Sequence, residues 1–151
     1  MDTKTQLNKK IFDLNIHLDD RGSLYEIFRT DSEYYNPTIG FGQVYTIYNP
    51  TRNIIRAFHY HKRKHDWFHI VRGSAKVILK GEDGIIEEYI LSASKPQLLY
   101  IPPKTYHGWM SLEDNTILLN FVNEPFKKEN PDDSRIPYDS FGKKIWEIKF
   151  K

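Results

Sequence analysis

Short apolar segments separated by turn residues run along most of the chain. None of them keeps apolar residues at helical spacing over a long stretch. There are ten such segments: residues 11–18, 23–29, 41–49, 53–61, 67–73, 75–80, 85–91, 96–103, 116–123 and 144–150. Gly, Pro, Asn and Asp fill the gaps between them, as in Gly81-Glu82-Asp83-Gly84. The pattern predicts an all-β sandwich or barrel of about ten short antiparallel strands.

The segment at 53–61 carries the most distinctive polar pattern. Alternate residues of a strand share a face, so Ala57, His59 and His61 lie on one side of it, and Arg56 and Tyr60 on the other. Both faces are mixed, and parity alone leaves open which one is interior. A small Ala57 beside two imidazoles favours a face that leaves room for a ligand.

Length and composition indicate one domain over residues 1–151, with a core at about 19–126 and a polar, turn-rich excursion at 127–151. A chain of this length buries a sizeable core without disulfides or metals. It has no cysteine, which excludes a thiolate metal site and a thiol nucleophile.

The balance of charged side chains excludes some classes of binding partner. The 22 basic and 20 acidic side chains nearly balance, so we expect no nucleic-acid partner. The run Lys62–Lys64 fits a solvated turn better than a diphosphate site, although both stay open. No apolar stretch has the length of a membrane span, and residues 1–10 lack the apolar run of a signal peptide. We therefore expect a cytoplasmic protein without membrane contact.

Four of the six histidines fall within eleven positions. His59 and His61, followed by Asp66 and Gly73 and much later by His107, reproduce the order of the cupin motifs, with Asp where the cupin pattern has Glu. Three interpretations stay open. His59, His61, Asp66 and His107 could hold a divalent metal; the histidines could hydrogen-bond inside a polar barrel; or one histidine could act as a base with no metal.

Base chemistry is plausible from the residue types alone. A ketone acidifies the neighbouring C–H bonds, and an imidazole is the natural base near neutral pH. A fixed donor stabilises the enolate oxygen, and arginines bind diphosphate oxygens with two parallel hydrogen bonds.

Four stretches of the chain resemble one enzyme family. The stretch DDRGSLYEIFR (19–29) is similar to the D-x-R-G-x-x-x-E opening of dTDP-4-dehydrorhamnose 3,5-epimerases. RAFHY (56–60) resembles their R-G-L-H-Y, IVRG (70–73) their V-V-R-G, and LYIPP followed by HGW (99–109) their L-Y-I-P-x-G-x-x-H-G-F. RAFHYH is equally similar to the R-G-x-H-A-H stretch of sugar 3,4-ketoisomerases. The order holds from residue 19 to about 126.

The resemblance implies a cupin-type double-stranded β-helix (jelly roll) that forms a homodimer. It implies a nucleotide-diphosphate sugar as substrate, specifically a dTDP-4-keto-6-deoxy sugar, and no cofactor. His59 carries over as the base. The implied substrate-binding positions are Arg21, Glu26, Gln43, Arg56, His61, His107, Asn120 and Phe126.

Two positions depart from the family. Its catalytic acid is a tyrosine where this chain has Asn120, which leaves the proton donor to Tyr106, Tyr138 or water. The carboxylate expected to pair with the base maps onto Ser140, so Asp139, one residue earlier, becomes the candidate. The predicted catalytic residues are thus His59, Asp139 and Tyr106, for a nucleotide-sugar epimerase or ketoisomerase. The rivals are a metal-dependent cupin enzyme and a sugar-nucleotide-binding barrel that has lost catalysis.

Overall fold

The computed structural model describes residue 7 and residues 9–150, and in them the regular secondary structure is almost entirely β-strand. Its strands are β1 (Ile11–Asp13), β2 (Ile16–Asp19), β3 (Gly22–Tyr25), β4 (Gln43–Asn49), β5 (Ile55–Tyr60), β6 (Asp66–Arg72), β7 (Ser74–Lys80), β8 (Ile86–Ser92), β9 (Gln97–Ile101), β10 (Tyr106–Ser111), β11 (Thr116–Val122) and β12 (Ser134–Arg135). A short 3₁₀ helix spans Lys143–Trp146. Within the described part of the chain, no helix is long and apolar enough to span a bilayer.

Two five-stranded antiparallel sheets form the body. One has the strand order β1-β9-β6-β11-β4, and the other has the order β12-β5-β10-β7-β8. Apolar side chains from both sheets, such as Phe68, Val77, Leu99 and Leu118, form the core. Strands β2 and β3 make a separate hairpin. The predicted all-β jelly-roll class is confirmed.

The boundaries differ from the sequence pattern in four places, one of which is the unpredicted two-residue strand β12. Segment 11–18 divides into β1 and β2, and segment 144–150 begins in the 3₁₀ helix instead of a strand. Strand β10 was missed because its two faces both mix apolar and polar residues. Tyr106, Gly108 and Met110 alternate with His107 and Trp109, so no period of two in hydropathy marks the strand.

The C-terminal excursion is bound to the barrel by polar contacts. The buried carboxylate of Asp132 accepts the backbone N–H groups of Lys62–Lys64 at 2.8, 2.9 and 3.0 Å. Strand β12 then pairs with β5, and the buried ammonium of Lys76 donates to the carbonyls of Ile145 and Glu147. The excursion therefore passes beside the histidines of β5 at residues 132–135 and then covers the other face of the same sheet, where Trp146 packs with Phe58 and Ile78.

Candidate functional site

A cavity of about 460 Å³ lies between the sheets, a size typical of small-molecule sites. Both sheets contribute polar side chains to it. Its lining consists of Gln43, Tyr45, Ile47, Arg56, His59, His61, Lys64, Asp66, Phe68, His107, Gly108, Trp109, Asn120, Val122, Phe126, Asp133 and Arg135.

His59 lies on one wall of the cavity and is held by a carboxylate. Strand pairing sets Arg135 opposite His59, which brings Asp133 to the imidazole, with Nδ1 and Oδ1 3.2 Å apart. Burial raises the pKa of Asp133, but its hydrogen bonds from His59 and Arg135 outweigh this and hold the pKa below its usual value. An ionised carboxylate only accepts, so Nδ1 carries a proton, and in the neutral ring the lone pair is on Nε2. This is the arrangement of an oriented general base.

His61, Asp66 and His107 form a second cluster. One ligand atom from each lies within 4.8 Å of the other two, and His61 Nε2 is 3.5 Å from Asp66 Oδ2. His61 Nδ1 donates to the Asp132 carbonyl, and His107 Nδ1 donates to the Thr105 carbonyl at 3.0 Å. Since carbonyls only accept, both Nε2 atoms are unprotonated whenever these rings are neutral.

Burial explains why this cluster is unusual. It lowers the pKa of His107 to about 4, so that ring is neutral at pH 7. Asp66 Oδ2 is buried and has no hydrogen-bond partner. Acceptor atoms thus converge here without a donor, and the arrangement fits either a cation or a substrate hydroxyl.

Asn120 links Asp66 to the wall formed by β4. Its Nδ2 donates to Asp66 Oδ1 at 2.9 Å and to the Tyr45 hydroxyl at 2.7 Å. Asn120 is only 3% exposed, so this amide has a fixed environment. Asp66 Oδ1 is engaged by it, which leaves Oδ2 to face the histidines.

Cations and an aromatic ring line the cavity further out. The Arg56 Nε donates to Asn49 Oδ1 at 2.7 Å, which fixes the guanidinium. Lys64 Nζ lies 5.6 Å from the centre of the exposed Phe126 ring, and the Phe126 N–H donates to Gln43 Oε1. Positive charge beside a flat apolar ring suits a nucleotide diphosphate.

Several predicted site residues do not reach this cavity. Arg21 sits at the exposed β2–β3 turn, paired with Asp19, and Glu26 pairs with Arg29. Asp139 is exposed in a turn, so its predicted partnership with His59 is made by Asp133 instead, because β12 pairs with β5.

The tyrosines proposed as proton donors also lie elsewhere. Tyr106 is one residue from His107 on β10 and therefore points to the opposite face, against Tyr60 and Phe141. Tyr138 belongs to an exposed turn. Neither lines the cavity.

Sequence reasoning missed Tyr45, Asp133 and Arg135, and it favoured a solvated turn for the run that contains Lys64, which lines the cavity. Tyr45 carried a usable signal, because it is two residues from the predicted Gln43 and shares its strand face. Asp133 and Arg135 carried none, since a two-residue strand in a polar excursion has no recognisable pattern.

Comparisons with known proteins agree with this architecture. The profile of the polysaccharide biosynthesis C-terminal domain family matches residues 17–134. The spore coat polysaccharide biosynthesis protein SpsL of Bacillus subtilis is 31% identical over 140 residues, covering 86% of this chain and 88% of that protein. A TDP-4-oxo-6-deoxy-alpha-D-glucose-3,4-oxoisomerase of Aneurinibacillus thermoaerophilus is 26% identical, covering 96% and 98%.

A solved structure shares the fold. The dTDP-4-dehydrorhamnose 3,5-epimerase of Bacillus anthracis, solved with TDP and PPi bound, superposes with a TM-score of 0.76 at 22% identity. The match covers 89% of this chain and 81% of that one. The predicted resemblance and the predicted cupin-type fold are both confirmed.

Proposed function

The chain belongs to the polysaccharide biosynthesis C-terminal domain family, and from that premise we propose that it moves a proton beside the ketone of a dTDP-linked 4-keto-6-deoxy sugar. The predicted isomerase class is confirmed, because the relatives include a TDP-sugar oxoisomerase and the fold is that of dTDP-sugar epimerases. The nucleotide and sugar are proposed for this chain by analogy with these relatives. The charged diphosphate does not cross a bilayer unaided, so we place the reaction in the cytoplasm, where nucleotides are made.

The observation that carries the proposal is the His59–Asp133 pair in the cavity wall. Nε2 of His59 removes the proton next to the ketone, and the C–H electron pair forms the enolate. Asp133 keeps the proton of the neutral ring on Nδ1 and stabilises the imidazolium that results. Lys64, Arg56 and Arg135 supply positive charge for the diphosphate, and Phe126 supplies a stacking surface at the rim.

A homodimer is part of the proposal. The β2–β3 hairpin exposes Ile16 at 43% and Leu18 at 78% on one face and Leu24 at 64% on the other, and exposed apolar side chains are disfavoured in water. We propose that this hairpin packs against a second copy of the chain. The hairpin would then carry Arg21 in its turn, and Glu26 just after β3, to the neighbouring cavity, which explains why neither reaches its own.

Hydrogen exchange tests the proton transfer. The enzyme is incubated in heavy water with dTDP-4-keto-6-deoxyglucose, and deuterium at C3 and C5 is measured by NMR. We expect incorporation by the wild type and a loss of about 100-fold or more in His59→Asn. Thymidine nucleotide binding by calorimetry is the control for an intact cavity. Tight binding without exchange by the wild type would contradict the proposal and support a binding barrel.

A divalent metal is the second candidate, favoured by the cluster of His61, Asp66 and His107. The side chains fit such an ion: two imidazoles are oriented by carbonyls through Nδ1, and the carboxylate has one free oxygen. His59, included in the four-ligand prediction, is engaged by Asp133 and is not part of the cluster. When bound, the metal would polarise the ketone oxygen and so acidify the adjacent C–H bonds.

Metal removal distinguishes a metal-dependent reaction from one that needs only His59 and Asp133. Metal content of the purified protein is measured by mass spectrometry, and exchange is measured before and after chelation. One equivalent of metal, lost from Asp66→Asn and needed for exchange, would establish the metal-dependent version. Full exchange by metal-free protein would establish that His59 and Asp133 act without an ion. Asp139→Asn serves as the matched control, because that carboxylate lies outside the cavity.

A further inference from the structure

The His59–Asp133 pair accounts for removal of the proton, but not for the proton that the enolate carbon receives afterwards. A base on one side of an enolate can give the proton back only on that side, which restores the original configuration. Inversion needs a second proton donor that faces the other side of the substrate. Among the described residues that line the cavity, Tyr45 is the one tyrosine.

Strand pairing brings Tyr45 to Asn120. The two residues are direct partners in the β4–β11 ladder, and Asn120 Nδ2 lies 2.7 Å from the Tyr45 hydroxyl oxygen. The orientation of the amide is fixed, because a carboxylate can only accept, so the amide atom 2.9 Å from Asp66 Oδ1 is Nδ2, which bears the hydrogens. The amide therefore donates to the tyrosine, and the phenolic proton of Tyr45 stays free for the cavity.

The two sheets put Tyr45 and the base on different walls. Tyr45 lies on β4, in the sheet that contains β6 and β11, whereas His59 lies on β5 in the facing sheet. Both side chains line the same cavity. A sugar ring bound between the sheets thus meets an imidazole on one face and a phenol on the other.

We infer that Tyr45 is the proton donor that completes an epimerisation, with Asn120 as its positioning residue. This inference rests on the proposed function and narrows it, because it selects inversion over migration of the ketone along one face. Burial raises the pKa of Tyr45 to about 12, so the phenol keeps its proton at neutral pH.

The epimerisation needs no reagent other than water. His59 takes the proton from the carbon beside the ketone, and the enolate forms. The enolate carbon then uses its electron pair to bond the proton of the Tyr45 O–H, and the carbonyl re-forms. Asn120 stabilises the phenolate through its N–H. Water returns a proton to Tyr45, and the imidazolium of His59 releases one to solvent.

The experiment compares inversion with exchange in Tyr45→Phe. Inversion is followed by NMR of the product sugar, and exchange by deuterium entering unreacted substrate in heavy water. We expect inversion to fall about 100-fold or more, while exchange stays within about threefold of the wild type, since His59 still removes and returns the proton. Tyr48→Phe is the matched control, because Tyr48 is on the same strand with the opposite parity and bonds Asn115.

The variant Asn120→Ala shows whether Asn120 positions Tyr45 or only stabilises the fold. We expect it to raise the ratio of exchange to inversion, as Tyr45→Phe does, whereas a loss of fold would lower both rates together; circular dichroism and the melting temperature check the fold. Unchanged inversion in Tyr45→Phe would overturn the inference. So would ketone migration as the wild-type reaction, although the proposed function would survive. If the wild type showed no exchange at all, the proposed function itself would fail.

Discussion

The residues of this site differ in whether the sequence alone could predict them. The place of His59 in the cavity wall is predictable, because the motif RAFHYH marks it as a candidate base on a strand face. Asp133 is not predictable, because it meets His59 only through the pairing of β12 with β5, more than seventy residues away along the chain. Asp139 was the sequence-based choice, and it lies in an exposed turn.

Replacing Asp133 by Asn tests the pairing directly. The amide can donate to Nδ1 and so favour the tautomer with its proton on Nε2, which cannot accept from carbon. We expect the rate of deuterium exchange to fall at least about 10-fold, with nucleotide binding unchanged.

Asp139→Asn is the control for this substitution, since it removes the same charge from the same excursion. Its exchange rate should equal that of the wild type. Equal losses in the two variants would show that net charge of the excursion, rather than orientation of His59, is what matters.

Strands β5 and β10 hold His59 and His107 side by side, and a glycine makes this possible. The two histidines are register partners, with ring centres 6.0 Å apart, and the register shifts between His107 and Trp109. A Cβ on Gly108 would lie 2.2 Å from the Cβ of Ala57, far inside van der Waals contact. The sequence pattern did not reveal β10. The glycine beside His107 is nevertheless required, because β10 and β5 approach closely at Gly108.

Gly108→Ala should therefore destabilise the fold. Because the added carbon would also lie 2.9 Å from the Cα of Ala57 and 3.0 Å from the carbonyl oxygen of Arg56, the two strands must separate, and overpacking of this kind costs about 1–3 kcal/mol. Urea denaturation measures the free energy of unfolding. Gly81→Ala is the matched control, as its nearest contact is 3.5 Å, and it should stay within about 0.5 kcal/mol of the wild type. Equal effects of the two substitutions would contradict this account.

The β2–β3 hairpin is joined to the barrel partly through a buried histidine. His69 Nδ1 donates to the Gln97 carbonyl at 2.8 Å, and Nε2 accepts from the Tyr25 hydroxyl at 3.1 Å. Burial lowers the pKa of His69. The ring is therefore neutral in the folded protein at a pH where the unfolded chain already binds a proton.

His69 makes the free energy of unfolding fall as the pH is lowered. As the pH falls below about 6.5, the unfolded state gains a proton before the folded state does, so His69 makes the protein less stable in acid. We expect the free energy of unfolding to drop less between pH 7.5 and pH 5.5 in His69→Gln than in the wild type. Measuring the difference between the two proteins removes the contributions of other histidines. Identical pH slopes would show that His69 has no lowered pKa.

The molecule as a whole is the part that sequence predicted best. Turn residues between short apolar segments predicted an all-β sandwich or barrel, and the family-like motifs predicted the jelly roll. What could not be predicted is the placement of polar segments outside the sheets. The excursion is held by contacts between residues far apart in sequence, such as Asp132 with the backbone of Lys62–Lys64 and Trp146 with Phe58, and the hairpin exposes Leu18 and Leu24.

Two copies of the chain should share their hairpins. If the β2–β3 turn of one copy carries Arg21 to the cavity of the other, an Arg21→Ala homodimer and a His59→Asn homodimer are each inactive. A mixed dimer then contains one cavity with both defects and one cavity with none. We expect mixing the two proteins, under conditions that let subunits exchange, to restore deuterium exchange.

If each cavity used only its own chain, every cavity in the mixture would keep one defect, and no exchange would return. Light scattering of Leu18→Lys provides an independent measurement, because a lysine in an apolar interface is costly and should shift the protein toward monomer. Ile85→Lys is its control, since Ile85 is also well exposed, at 62%, but lies away from the hairpin. Restored exchange together with a monomeric Leu18→Lys would mean that the cavity is completed by the partner's arginine, and that dimer formation is a condition of catalysis.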